Sequence, residues 1–184
     1  MDLLQVIKQK SLENHIPIVR DKTLQLMIDI INKNKYQSVL EIGTAYGYSA
    51  YTISKCKNIK SIITLEKRID NYLIAKQYKN NKITYLNDDA FFYTPTQTFD
   101  FIFIDGGKSH QEHLVDKYYQ HLNKGGIIFI DNIDLHKFDQ LDVLTKNQKS
   151  LLNKIKVFKK WLLSHKVYKT EYVFIDDGCC IIYK

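Results

Sequence analysis

Short apolar runs recur along this chain, and most of them end on an acid or an amide. They are SVLEIG (38–43), SIITLE (61–66), KITYLN (82–87), FDFIFID (99–105) and GGIIFID (125–131). Between them lie stretches of helical character: YSAYTISKC (48–56), RIDNYLIAKQYKN (68–80) and KSHQEHLVDKYYQHL (108–122). Strands apolar on both faces belong inside a covered sheet, and their alternation with helices predicts a mostly parallel one. Right-handed crossovers then make it doubly wound, an α/β fold. Two amphipathic helices precede it, 2–14 and 21–34, separated by HIPIV (15–19), where Pro17 forbids a continuous helix. A loop follows the fifth strand. Then come a helix over 148–165 and two strands, 169–176 and 179–184, paired as a hairpin around Asp177-Gly178. The expectation is a seven-stranded sheet with at least one antiparallel strand at an edge.

With 184 residues, 45% of them hydrophobic, the chain suits one domain spanning 1–184. No apolar run reaches membrane-spanning length. The N-terminal stretch MDLLQVIKQKSLENH alternates apolar pairs with charges and lacks the apolar block of a signal peptide. Cys56, Cys179 and Cys180 are odd in number and have no zinc-ligand spacing. The reading is a reduced, cytoplasmic protein with no membrane partner. Net charge is +7, and the segment from Lys146 to Thr170 holds eight lysines and no acid. Such a segment can gather a polyanion, or it can be a solvated helix face.

Ligands of a doubly wound sheet bind beyond the C-terminal ends of its strands. The first strand runs into a turn carrying Gly43 and Gly47, which allow a tight bend and a close approach. The turn is neither G-x-G-x-x-G nor a P-loop, so a pyrophosphate cradle is disfavoured. Glu66 ends the second strand, where a carboxylate can accept both hydroxyls of a ribose. Asn87-Asp88-Asp89-Ala90 ends the third, where a polar side chain and a backbone N–H can meet an adenine. A nucleoside without phosphates fits these three ends, and S-adenosylmethionine (SAM) is the common one.

Asp105 ends the fourth strand, and Asp131 with Asn132 ends the fifth. Neighbouring strands lie ~4.8 Å apart, so these oxygen-bearing groups can converge. Two carboxylates and an amide are hard ligands suited to Mg²⁺. The plainer alternative is that both aspartates cap the segments that follow.

Taken together, VLEIGTAYGYSA, ITLEKR, FDFIFIDGGKSH and GGIIFIDNI resemble the metal-dependent O-methyltransferases related to catechol and caffeoyl-CoA O-methyltransferases. Within these, HIPIV, KVFKKWLLSH and DDGCCIIYK are most similar to bacterial tRNA 5-hydroxyuridine methyltransferases. The resemblance implies a Rossmann-like class I methyltransferase fold, with the N-terminal helices 1–34 on the substrate side, SAM and Mg²⁺ as cofactors, and a homodimer. It implies SAM contacts from Glu41, Gly43, Thr44, Ala45, Gly47, Ser49, Glu66, Asp89, Ala90 and Asp105, and a metal on Asp105, Asp131 and Asn132. Lys108 matches the family's catalytic base or electrostatic activator. The pair Gly106-Gly107 departs from the small or aromatic pair usual before that lysine, and Gln111 stands where relatives often carry Tyr. His110 and His113, one helical turn apart, lack a third ligand and read as exposed helix residues.

A metal-plus-lysine site wants two vicinal oxygens, one held and one methylated. A catechol offers that, and so does 5-hydroxyuridine through its 5-hydroxyl and 4-carbonyl. On the 148–165 helix, Leu151, Ile155, Phe158 and Leu162 share one face, and Lys149, Lys156 and Lys160 fall opposite. That lysine stripe is a candidate phosphate track and favours tRNA as the partner, giving 5-methoxyuridine at the wobble position. The alternatives are a small catechol-like acceptor and an RNA- or nucleotide-binding domain without chemistry.

Overall fold

The computed structural model describes residues 2–107, 110–134, 141 and 143–184. In chain order its elements are α1 (Leu3–Glu13), α2 (Asp21–Asn34), β1 (Ser38–Ile42), α3 (Tyr48–Ile53), β2 (Ser61–Leu65), α4 (Ile69–Ala75) and β3 (Ile83–Leu86). There follow β4 (Phe99–Ile104), α5 (Gln111–Tyr119), β5 (Leu122–Asp131), α6 (Lys146–Ser164), β6 (Lys169–Val173) and β7 (Cys179–Tyr183). The strands form one seven-stranded sheet in the order β3-β2-β1-β4-β5-β7-β6. All pairs from β3 to β5 are parallel, and β7 runs antiparallel to both β5 and β6. This is the Rossmann-like class I methyltransferase fold. One detail differs from expectation: the reversed strand β7 lies one place in from the edge, and β6 takes the edge. The all-apolar CCII of β7 is buried between β5 and β6, whereas KTEYV of β6 is half-exposed.

The strands' twofold alternation splits the core into two layers. On β4, Phe101 and Phe103 face the layer with Ile7, Met27 and Ile31 of the N-terminal helices. Ile102 and Ile104 face the other, with Leu114 and Tyr118 of α5 and Phe158 and Leu162 of α6. Trp161 flanks this second layer, stacked on Phe158 with ring centroids 5.9 Å apart. The three cysteines are buried free thiols. Among the described residues, no helix is long and apolar enough to cross a membrane.

Helix ends differ from the sequence reading for local reasons. α6 starts at Lys146, because Thr145 and Gln148 form a reciprocal capping box just before it. α4 stops at Ala75, where the chain tightens into three-residue turns, Gln77 N–H to Ile74 O and Tyr78 N–H to Ala75 O.

Candidate functional site

The strand order reverses between β1 and β4, and a cavity of about 390 Å³ opens at that switch point. Four successive strand ends supply its wall: Gly43 and Ala45 after β1, Glu66 after β2, Asp89 and Ala90 after β3, and Asp105 after β4. Six of the ten residues expected to contact SAM therefore line one cavity. Asp88, from the same third-strand end, also lines it, and so does Asn71, which the sequence reading does not name. Asn71 comes from α4, where nothing in the local sequence separates a cleft residue from a surface one.

Glu66 is nearly buried, and its two oxygens accept backbone N–H groups, from Ala45 at 2.9 Å and from Arg68 at 2.8 Å. A carboxylate offers about four acceptor positions, so ribose hydroxyls can still be accommodated. Asp89 Oδ1 accepts from Phe91 N–H at 3.0 Å and shapes the turn that carries Ala90. The Phe91 ring lines the cavity and is clasped by the two histidines: His110 meets it edge-on at 5.6 Å and His113 stacks on it at 5.7 Å. Both histidines are exposed, as expected, and their role here is packing.

The glycines serve the protein's own backbone. Gly43 has φ +106°, and a side chain there would lie 2.8 Å from the Asp105 carbonyl oxygen. The turn is thus pressed against the end of β4. Gly47 has φ +86° at the start of α3, and a side chain there would face the Tyr85 ring at 3.4 Å and Ala75 at 3.6 Å. That direction leads between α4 and β3, and Gly47 is not part of the cavity wall.

Glu41, Thr44 and Ser49 are buried and are not part of the cavity wall. Glu41 is fully buried and accepts hydrogen bonds from Ser49 Oγ and Thr64 Oγ1. Thr64 Oγ1 in turn is hydrogen-bonded to Thr44 Oγ1 at 2.5 Å. This network ties β1, the glycine turn, α3 and β2 together. Burial pushes the Glu41 carboxyl up to about 7, against the opposing pull of its two hydroxyl partners.

The second half of the site sits beside the cavity. The register Ile104↔Ile130 brings Asp105 and Asp131 side by side just beyond it. Asn132 holds φ +58° and turns its side chain back onto both, donating Nδ2 to Asp131 Oδ2 at 3.0 Å and to Asp105 Oδ1 at 3.4 Å. The Asn132 N–H also donates to Asp131 Oδ1 at 2.8 Å. Asp131 is buried, with the Cys179 thiol donating to it at 3.6 Å. Burial raises that thiol to about 12, so it stays a neutral donor. Among the described residues, no group of three or more His, Cys, Asp or Glu could hold a metal. The converging set here has two carboxylates and an amide. Lys108 lies outside the described residues. Gln111 is buried at the start of α5, with neither amide atom hydrogen-bonded among the described residues.

On α6, Ile155, Phe158 and Leu162 are buried, Leu151 is half-buried, and Lys149, Lys156 and Lys160 are exposed. Lys159, on the flank, forms an ion pair with Asp134, two residues past Asn132. The helix therefore borders the loop that carries the Asp131-Asn132 pair.

Comparison with known proteins matches residues 2–184 to the O-methyltransferase family. Among solved structures, a candidate caffeoyl-CoA O-methyltransferase from Staphylococcus aureus superposes with a TM-score of 0.89 at 27% identity, covering 98% of this chain and 92% of that one. The SAH-bound methyltransferase PaMTH1 of Podospora anserina superposes at 0.85 with 20% identity, covering 100% and 88%, a likeness of fold. A Thermoplasma volcanium protein assigned as a decarboxylating cobalt-precorrin-6B C(15)-methyltransferase is 27% identical over 128 residues, or 65% of this chain. The chain spans 63% of that relative's length. With the fold, the cavity at its switch point and a match over almost the whole sequence, the chain belongs to the SAM-dependent O-methyltransferase family.

Proposed function

We propose that this chain transfers the methyl group of SAM to one of two vicinal oxygens on a catechol-like acceptor. The observation that carries this is the convergence of Asp105, Asp131 and Asn132 next to the cavity. The likeness to the Staphylococcus aureus protein supports the small-acceptor reading. In this reading Glu66 receives the ribose of SAM, and the turn at Asp89-Ala90 receives the adenine. The sulfonium then lies toward Asp105, whose carboxylate belongs to both halves of the site.

The donor set fits a hard divalent cation such as Mg²⁺: the carboxylates supply charge, and a half-turn of the Asn132 amide replaces its donor with an oxygen. When bound, such an ion lowers the pKa of an acceptor hydroxyl. The chain's own task is to hold the two reactants in line and to exclude water, with Lys108 proposed as base or electrostatic activator. Incubation with methyl-labelled SAM tests the reading directly, against a catechol panel and, separately, bulk tRNA. No transfer to any catechol would defeat the small-acceptor assignment. Glu66→Gln keeps one acceptor oxygen and loses the charge. Since a hydrogen bond to a charged group contributes ~1.5–3 kcal/mol, SAM affinity should fall at least about tenfold by calorimetry. Unchanged affinity would remove Glu66 from the cofactor site.

A second reading has an observation of its own. The exposed lysines of α6 lie on the helix whose Lys159 reaches the loop after Asn132. A polyanion along that face would approach the same acceptor position, which favours the 5-hydroxyl of a wobble 5-hydroxyuridine in tRNA. Under this reading, neutralising Lys149, Lys156 and Lys160 together raises KM for tRNA and leaves SAM affinity unchanged. The salt dependence flattens by a slope of roughly 0.7–0.9 per lost phosphate contact. A triple variant that handles tRNA like the parent chain would exclude the lysine face.

A further inference from the structure

The first turn of α2 is capped from the far end of the chain. Arg20, its N-cap residue, makes no side-chain hydrogen bond to the helix. Asp176 does the capping: its Oδ2 accepts from both the N–H and the Oγ1 of Thr23 at 3.0 Å. A carboxylate there meets an amide the helix cannot satisfy itself, and it complements the helix dipole. The next residue, Asp177, is buried, and Arg20 Nη2 donates to its Oδ2 at 2.8 Å. Asp176 and Gly178 both hold left-handed backbone, φ +47° and +73°. For Asp176 that conformation needs outside contacts to hold it, and α2 supplies them.

The same turn carries the loop after β5. Ile133 N–H donates to Gly178 O at 3.1 Å, and Asp134 N–H to Asp177 O at 2.9 Å. The Asp134 carboxylate occupies the space where a side chain on residue 178 would point, so only glycine fits there. Beneath, the Cys179 sulfur lies 3.8 Å from Thr23 Oγ1 and 3.6 Å from Asp131 Oδ1. Three links thus run from the start of α2 to the Asp131–Asp134 segment: an ion pair, a helix cap and a buried thiol.

We infer that Arg20 and Thr23 are positioning residues for Asp131 and Asn132, acting through the Asp176–Gly178 turn. The inference rests on the reading of Asp105, Asp131 and Asn132 as the oxygen donors of the acceptor site. Asn132 keeps its left-handed backbone only while the loop is pinned, and two of the pins are the backbone hydrogen bonds to this turn. Loosening the turn from α2 frees the loop and blurs the donor set, while the cavity walls on β1 and β2 are untouched.

The test uses the full chain with Arg20→Gln and Thr23→Val, and Arg20→Lys as the conservative variant. Hydrogen–deuterium exchange at the Ile133 and Asp134 amides should rise roughly tenfold in the first two, with the amides of β1 and β4 unchanged. Mn²⁺ affinity by calorimetry should weaken about tenfold, the scale expected when a partner that orients a ligand is lost, with SAM affinity unchanged and partial recovery in Arg20→Lys. Unchanged exchange at Ile133 and Asp134 overturns the inference. A uniform rise across the sheet, with SAM affinity falling in step, overturns it too, because the effect is then general destabilisation. If the parent chain takes up no Mn²⁺ while exchange responds locally, the donor-set reading fails and the positioning role stands.

Discussion

Asp131→Ala is expected to lower methyl transfer by roughly 10²–10³-fold while leaving SAM affinity within about twofold of the parent chain. Asp131 is not part of the cavity wall, and in the proposed function it serves the acceptor. Its removal takes away one of two carboxylates and leaves the Asn132 N–H and Nδ2 without the oxygens they now meet at 2.8 and 3.0 Å. The loss should appear in kcat for the acceptor and not in cofactor binding. Asp105→Asn should differ, because Asp105 also lines the cavity, and both turnover and SAM affinity should fall. In the parent chain, a chelator should abolish turnover and added Mg²⁺ should restore it. Full activity in excess chelator would leave the three side chains as a capping arrangement and remove the divalent cation from the proposal.

The strands and their polar ends were legible in the sequence because both signals are local. A strand buried on two faces must be apolar throughout, so an acid can stand only where the strand leaves the core. Glu66, Asp89, Asp105 and Asp131 were found that way. Glu41 obeys the opposite logic. It sits inside a buried strand and is tolerated because Ser49 and Thr64 supply hydroxyls, and Thr64 is 23 residues away on a neighbouring strand. Its place in the motif implies contact with the cofactor; its carboxylate is buried against Ser49 and Thr64 and is not part of the cavity wall. Gly47 also stands outside the cavity wall, and it is the φ of +86° at the start of α3 that calls for glycine there. The start of α6 could have been read from Thr145 and Gln148, whose spacing is that of a capping box. The Arg20–Asp177 pair could not, since its partners are 157 residues apart and neither position carries a local signal.

Glu41 gives the fold a pH dependence that one substitution should erase. Its carboxyl titrates near 7 in the folded chain, against an ordinary value of 4.5. Between those values the folded chain holds a proton that the unfolded chain releases, so stability falls as pH rises from 4.5 and levels off above about 7. The shift corresponds to roughly 3 kcal/mol across the window. Asp100 does not confuse the measurement. Burial alone would raise its carboxyl, but hydrogen bonds from Asn123 and from the Gln37 and Ser38 amides hold it below its ordinary 3.8, so its contribution is lost only in stronger acid. Glu41→Gln has the shape of the protonated acid and never charges, and the Ser49 and Thr64 hydroxyls can rotate to meet its amide. Urea unfolding at pH 5, 6, 7 and 8 should therefore show the variant gaining on the parent chain as pH rises, by up to roughly 3 kcal/mol. Parallel curves would mean that Glu41 is ionised in the folded chain throughout. Because this one carboxyl joins Ser49 to Thr64, and Thr64 is bonded in turn to Thr44, the same variant should leave the glycine turn in place at pH 5, where parent and variant both present a neutral group to the Ser49 and Thr64 hydroxyls.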